Sequence, residues 1–136
     1  METTLQPKKP ASLISNYRKK VILVVDDIQI NYLLIKALMK PTGATVLWAN
    51  DGDKAVKMVD LGKKIDLVFM DYNMPNMNGY EATTLIKSKR RRLPVISQTT
   101  YTHGADFENI TKVYDDVLMK PVTSQTLFNM LGKHIQ

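Results

Sequence analysis

The stretch Val21-Ile22-Leu23-Val24-Val25-Asp26-Asp27 sets five consecutive apolar residues, four of them β-branched, against two carboxylates. A run this short, uninterrupted and branched reads as a strand buried on both faces, which is the habit of parallel sheets covered by helices. Its abrupt polar end delivers Asp26 and Asp27 to the C-terminal edge of that sheet. Immediately downstream the period changes. Ile30, Leu33, Leu34, Ala37 and Leu38 recur at helical spacing and are expected to form the buried stripe of a first helix, which Pro41 and Gly43 bring to an end.

The alternation continues to the C-terminus. Residues 44–49 read as a second strand, and Asn50-Asp51-Gly52 supplies a turn and cap for a short helix through Ala55, Val56 and Val59, closed by Gly62. A third strand over residues 65–70 ends at Asp71, and a loop with Pro75 and Gly79 leads to a helix through Leu85 and Ile86. Residues 95–98 form a fourth strand ending at Thr99, followed by a weak helix over residues 105–112. Residues 117–119 make a short fifth strand that ends at Lys120-Pro121. A last helix, capped by Thr123 or Ser124, is buried through Leu127, Met130 and Leu131. Five such units predict an α/β fold, a doubly wound five-stranded parallel sheet with helices on both faces.

The 136 residues suit one domain, and the 44% hydrophobic and 24% charged content exclude disorder throughout. With no cysteine, disulfides, thiolate metal sites and cysteine nucleophiles are excluded. The net charge of +6 is uneven: residues 1–20 hold Lys8, Lys9, Arg18, Lys19 and Lys20 against Glu2, leaving +2 on the rest. Most of the excess therefore sits on a segment read as a flexible linker or tail, with the domain at residues 21–136, and direct nucleic-acid binding is not expected. The cluster Lys87, Lys89, Arg90, Arg91 and Arg92 reads as a solvated helix end. No apolar run approaches a membrane span, and a cytoplasmic setting is expected.

Ligands of doubly wound sheets bind outside the carboxyl ends of the strands. Those ends carry Asp26 and Asp27, Asp71, Thr99 and Lys120. Three neighbouring carboxylates repel one another until a cation joins them. All donors are oxygens, and neither His103 nor His134 has a partner at ligand spacing, so the expected metal is hard: Mg²⁺, with Mn²⁺ as substitute. A carboxylate beside Mg²⁺ and a lysine is placed to act as a nucleophile and form an aspartyl phosphate.

These residues, with the run Met70-Asp71-Tyr72-Asn73-Met74-Pro75-Asn76-Met77-Asn78-Gly79, resemble the receiver domain of two-component response regulators. The resemblance covers residues 21–136, including the spacings of 44 residues from Asp27 to Asp71 and 49 from Asp71 to Lys120. It implies a flavodoxin-like strand order of 2-1-3-4-5. It further implies Asp71 as phosphoacceptor, Asp27 as a direct Mg²⁺ ligand with Asp26 acting through water or orienting, and the Asn73 carbonyl in the metal shell. Thr99, the amide of Thr100 and Lys120 would hold the phosphoryl group. The implied donor is a phosphohistidine on a histidine kinase or histidine phosphotransfer domain, and relatives often dimerise. Asn31 is similar to the residue found in receivers of hybrid sensor histidine kinases. Ile28 and Gln29 stand where the family often has Glu-Pro, and Val117 where many members carry a switching Tyr or Phe.

Two other functions compete. A pseudo-receiver would bind partners without phosphate. A haloacid-dehalogenase-like phosphatase would separate its two strand-one aspartates by one residue, whereas Asp26 and Asp27 are adjacent. Tyr72, Tyr101 and Tyr114 read as rim or surface aromatics, and Met70, Met74 and Met77 as packing and loop residues.

Overall fold

A computed structural model of the chain describes residues 17–100 and 112–135. In chain order the elements are β1 (Val21–Val25), α1 (Gln29–Met39) with a 3₁₀ turn at Lys40–Thr42, β2 (Thr45–Ala49), α2 (Gly52–Asp60), β3 (Leu67–Asp71), α3 (Gly79–Lys89), β4 (Val95–Thr99), β5 (Asp116–Met119) and α4 (Ser124–His134). The expected helix over residues 105–112 lies outside the described residues, apart from its last position. All strand pairings are parallel, in the order β2-β1-β3-β4-β5. The order is the expected one, and it reverses direction at β1, beside β3. That reversal opens a crevice between the ends of β1 and β3, where Asp26, Asp27 and Asp71 stand.

Helices cover both faces. One core joins Leu23, Val25, Val68, Met70 and Val95 to α2 and α3 through Ala55, Val59, Ala82 and Ile86. The other joins Ile22, Val24, Phe69, Ile96 and Leu118 to α1 and α4 through Ile35, Met39, Leu127 and Leu131. Every residue of β3 is buried, as expected for a central parallel strand. Local chemistry sets the helix starts. Asp51 accepts a hydrogen bond from the Lys54 amide, Asn78 and Glu81 form a capping box, and Thr123 and Thr126 form another. Gly43, at φ +80°, closes the 3₁₀ turn where an added Cβ would meet the Arg18 side chain.

Three expectations need correction. The packed body reaches back to Tyr17, which is buried in the α1–α4 core, so residues 17–20 are part of the domain rather than of a tail. On α1 the buried residues are Ile35 and Met39, with Tyr32 and Leu38 packed behind them, while Ile30, Leu33 and Leu34 face outward. This helix carries two apolar stripes, and periodicity cannot tell which one turns inward. Stacking of Tyr32 on Trp48 of β2, with ring centroids 5.2 Å apart, accompanies the observed choice. The basic end of α3 is tied down rather than merely solvated. Lys87 pairs with Asp115 at 2.8 Å, Lys89 pairs with Asp60 at 3.0 Å, and Arg90 donates to the carbonyls of Val59 and Lys63.

Candidate functional site

Asp26 follows β1 directly and is completely buried. Its backbone is held from two sides: the amide donates to the Ala49 carbonyl at 3.1 Å and the carbonyl accepts from the Trp48 indole at 2.8 Å. Its Oδ1 accepts from the Ile28 amide at 3.0 Å and from Asn31 Nδ2 at 3.3 Å, whereas Oδ2 has no hydrogen bond among the described residues and lies 3.8 Å from the Lys120 ammonium. Asp27 is exposed at the rim. Asp71, the last residue of β3, is 8% exposed, with its Oδ1 3.3 Å from Lys120 Nζ. The three aspartates each offer an oxygen within 4.8 Å of the others.

The electrostatics of this group are short of positive charge. Burial, then the Asp26 carboxylate, push the Asp71 carboxyl up to about 6, and Lys120 offsets them only in part. A completely buried Asp26 oxygen with no hydrogen-bond donor among the described residues, beside two further carboxylates, is a donor set that a cation would satisfy. The oxygen-only donor set fits a hard divalent ion.

An open cleft of about 240 Å³ spans the site, lined by Asp27, Asn31, Asp71, Asn73, Thr99, Thr100 and Lys120 among others. The structure thus brings together every sequence-predicted site residue: Asp26 lies beneath the cleft, with an oxygen within 4.8 Å of those of Asp27 and Asp71 and Oδ2 3.8 Å from Lys120 Nζ. The parallel ladder fixes Thr99: β4 pairs Gln98 with Asp71, and the Lys120 amide donates to the Thr99 carbonyl at 2.8 Å. The Lys120-Pro121 peptide is cis. The turn after Asp71 is closed by the Gly79 amide donating to the Tyr72 carbonyl at 3.0 Å. A Cβ at residue 79 would strike the Asp71 carbonyl oxygen and come within 2.7 Å of the Tyr114 hydroxyl, so only glycine fits.

Sequence reasoning missed three contributors. Trp48 braces Asp26 from the neighbouring strand, and only strand pairing reveals that reach. Gln98 is buried and carries an amide without partners among the described residues; a polar residue in an apolar strand was the available signal. Tyr114, read as a rim or surface aromatic, is buried behind the Asp71 turn, where burial pushes its phenol pKa up. Tyr101 lies outside the described residues. Met70 is core, and Met74 and Met77 pack against it from the loop, as expected.

Comparison with known proteins agrees with this geometry. Residues 22–132 match the response regulator receiver domain family. The chain is 31% identical over 117 residues to the autoinducer 1 sensor kinase/phosphatase LuxN of Vibrio campbellii, covering 86% of this chain and 14% of that protein. It is 35% identical over 115 residues to the CAI-1 autoinducer sensor kinase/phosphatase CqsS of Vibrio cholerae, covering 82% and 17%. The chain therefore spans less than a fifth of either relative. Among solved structures it superposes on the receiver domain of the Pseudomonas aeruginosa sensor histidine kinase PA1611, determined with a magnesium ion in its active-site cleft. The TM-score is 0.78 and the identity 31%, over 85% of this chain and 97% of that one. Vibrio cholerae CheY4 superposes with a TM-score of 0.78 at 25% identity, over 85% and 98%. With its acidic crevice at the β1–β3 reversal and a lysine facing it from β5, the chain belongs to the response regulator receiver domain family.

Proposed function

We propose that the chain is a phosphoacceptor of a two-component phosphorelay, in which Asp71 takes a phosphoryl group from a phosphohistidine on a histidine kinase or histidine phosphotransfer partner. The observation that carries this is the convergence of Asp26, Asp27 and Asp71 around one point with Lys120 opposite. In the step itself, an Asp71 carboxylate oxygen attacks phosphorus. The P–N bond breaks, and its electron pair returns to the imidazole, which is reprotonated from solvent. Lys120 neutralises charge on the transferred group, and the Thr99 hydroxyl and Thr100 amide donate to its oxygens.

The side chains of Asp26, Asp27 and Asp71 and the carbonyl of Asn73 would hold Mg²⁺, with Mn²⁺ as substitute, and the ion when bound supplies positive charge to the phosphoryl oxygens. Asn31, through its hydrogen bond to Asp26 Oδ1, keeps that carboxylate turned toward the crevice.

A protein donor suits the surroundings better than a small one. Ile28, Ile30, Leu33 and Leu34 form an exposed apolar surface beside the cleft that a docking partner would cover. Because Val117 stands where many relatives have an aromatic, the phosphorylated state would be read out through Thr99 and the segment after it. The length of the relatives supports placement of this domain as the receiver of a longer, cytoplasmic hybrid sensor kinase, joined through the residues that precede Tyr17. The complete acid-and-lysine set favours this reading over a phosphate-independent pseudo-receiver.

The test is intact-protein mass measurement after incubation with acetyl phosphate or phosphoramidate and Mg²⁺. Wild type is expected to gain one phosphoryl group and Asp71→Asn none. No gain in wild type, or equal gain in both, overturns the proposal.

A further inference from the structure

The edge of the sheet opposite the acidic crevice collects the strand starts and the helix ends, and it is crowded with cations. Some have a local reason to be there: Lys36, Lys87, Lys89 and Lys133 stand in last helical turns, where they complement the helix dipole. Others do not. Arg18, Lys19, Lys63, Arg91 and Arg92 lie outside the helices, are exposed, and form no ion pair among the described residues. The carboxylates of this edge are already matched, Asp60 by Lys89, Asp66 by Lys64, Asp115 by Lys87 and Asp116 by Lys133.

Hydrogen bonds gather these cations from three distant stretches onto one surface. Lys64 Nζ donates to the Lys19 carbonyl at 2.7 Å, and Arg90 Nη2 donates to the Lys63 carbonyl at 2.6 Å. Arg90, Arg91 and Arg92 line an open hollow of about 490 Å³, whose one acid, Asp66, is taken up by Lys64 and the Val21 amide. Leu61 stands at the C-terminal cap of α2, between the Val59 and Lys63 carbonyls that Arg90 holds, and is 79% exposed, more than any other large apolar residue described. A Cβ at the next residue, Gly62, would meet no atom within 4 Å, so this turn projects into open space.

We propose that this edge adsorbs to an anionic phospholipid bilayer, its unpaired cations against the headgroups and Leu61 dipping into the interface, with no segment crossing. The leucine selects a bilayer over other polyanions, because an apolar side chain gains nothing from the phosphates of a nucleic acid or the carboxylates of an acidic protein. Base stacking has no platform here either, since Tyr17, the aromatic among residues 17–20, 61–66 and 90–94, is buried. The sequence leading into Tyr17 adds Lys8 and Lys9 against Glu2, charge of the same sign. Asp26, Asp27 and Asp71 stand at the other ends of the strands, so an adsorbed chain turns its crevice away from the lipid, toward a protein donor. Adsorption needs no chemistry at Asp71 and stands or falls separately from the phosphoacceptor function.

The test is cosedimentation of the full chain with vesicles of phosphatidylcholine and phosphatidylserine in equal parts, with pure phosphatidylcholine vesicles as control. Wild type is expected to bind the mixed vesicles and not the control, less tightly as salt rises. Arg91→Glu should lower affinity by about tenfold or more, since each cation near an anionic surface contributes roughly fivefold. Lys54→Glu, the same charge change at the opposite edge, should leave affinity within about twofold. Leu61→Ser should weaken vesicle binding severalfold. All three positions are exposed, and thermal melting establishes that each variant folds. No binding to mixed vesicles, equal loss in Arg91→Glu and Lys54→Glu, or unchanged binding in either Arg91→Glu or Leu61→Ser overturns the proposal. So does binding of a single-stranded oligonucleotide or polyglutamate that is as tight as vesicle binding and indifferent to Leu61→Ser, which would assign this edge to a nucleic acid or an acidic protein.

Discussion

The two ends of the sheet use aspartate in opposite ways. At the N-terminal end, Asp66 accepts from the Val21 amide and from Lys64, and Asp115 accepts from the Val95 amide and from Lys87, each bond 2.7 to 2.8 Å long. Asp116, at the start of β5, meets Lys133 at 2.9 Å and His134 at 2.8 Å. Every one of these carboxylates has a cation of its own. At the C-terminal end three carboxylates converge with Lys120 alone beside two of them, and one buried Asp26 oxygen has no hydrogen-bond donor among the described residues. Matched acids pin strand starts and helix ends, whereas unmatched acids store a demand for positive charge. The difference between a structural and a functional aspartate is thus a count of donors within reach, not a matter of residue type.

The sharpest test of this contrast compares one acid from each end, because removing charge should stabilise at one and destabilise at the other. Burial raises the Asp71 carboxyl to about 6 from an ordinary 3.8, so the folded chain binds that proton more tightly than the unfolded chain. Metal-free stability from this group is therefore greatest below pH 4 and declines as pH rises through about 6. Asp71→Asn removes the cost and should raise metal-free stability at pH 7 by up to about 3 kcal/mol, with the gain vanishing near pH 4. Urea denaturation across this pH range checks it, and a variant less stable than wild type at pH 7 would break the contrast.

Asp115→Ala should do the reverse, costing about 2 kcal/mol at neutral pH through loss of the Val95 and Lys87 bonds. Asp66 and Asp116 carry the opposite pH sign to Asp71. Burial pushes each up, but Lys64 and the Val21 amide in one case, and His134 and Lys133 in the other, outweigh it and hold the carboxyl below its ordinary value. Their stabilisation is present above about pH 4 and lost as pH falls through the lowered values. An acid limb below pH 4 that persists in Asp71→Asn would sharpen the assignment.

A smaller effect is expected where the unmatched end is braced. Trp48→Phe keeps a ring to stack on Tyr32 but removes the donor to the Asp26 carbonyl, and should cost about 1 kcal/mol by denaturant titration. Ile30→Ser should change stability by less than about 0.5 kcal/mol, since Ile30 is 68% exposed. A large loss there would restore Ile30 to the core stripe first expected for it.

Much of the site was legible because a parallel sheet places its strand ends on one edge, so listing the residue after each apolar run already gathers Asp26, Asp27, Asp71, Thr99 and Lys120. What could not be read concerns orientation. Ile30, Leu33 and Leu34 have the spacing of a core stripe as surely as Ile35 and Met39 do. Tyr114 was misplaced at the surface for a related reason: nothing local marks a tyrosine as the one that fills the space a glycine at 79 leaves open.

The amino-acid sequence by itself determined the alternation of strands and helices, their caps and breaks, and the set of oxygen donors at the strand ends, because each depends on neighbours within a few residues. Only the tertiary structure decided which stripe of α1 turned inward, that Tyr17 joined the core, that Trp48 braced Asp26, and that Gln98 was buried in the sheet. Those outcomes depend on contacts between residues far apart in the chain, and no local pattern encodes which of several apolar or polar groups will meet.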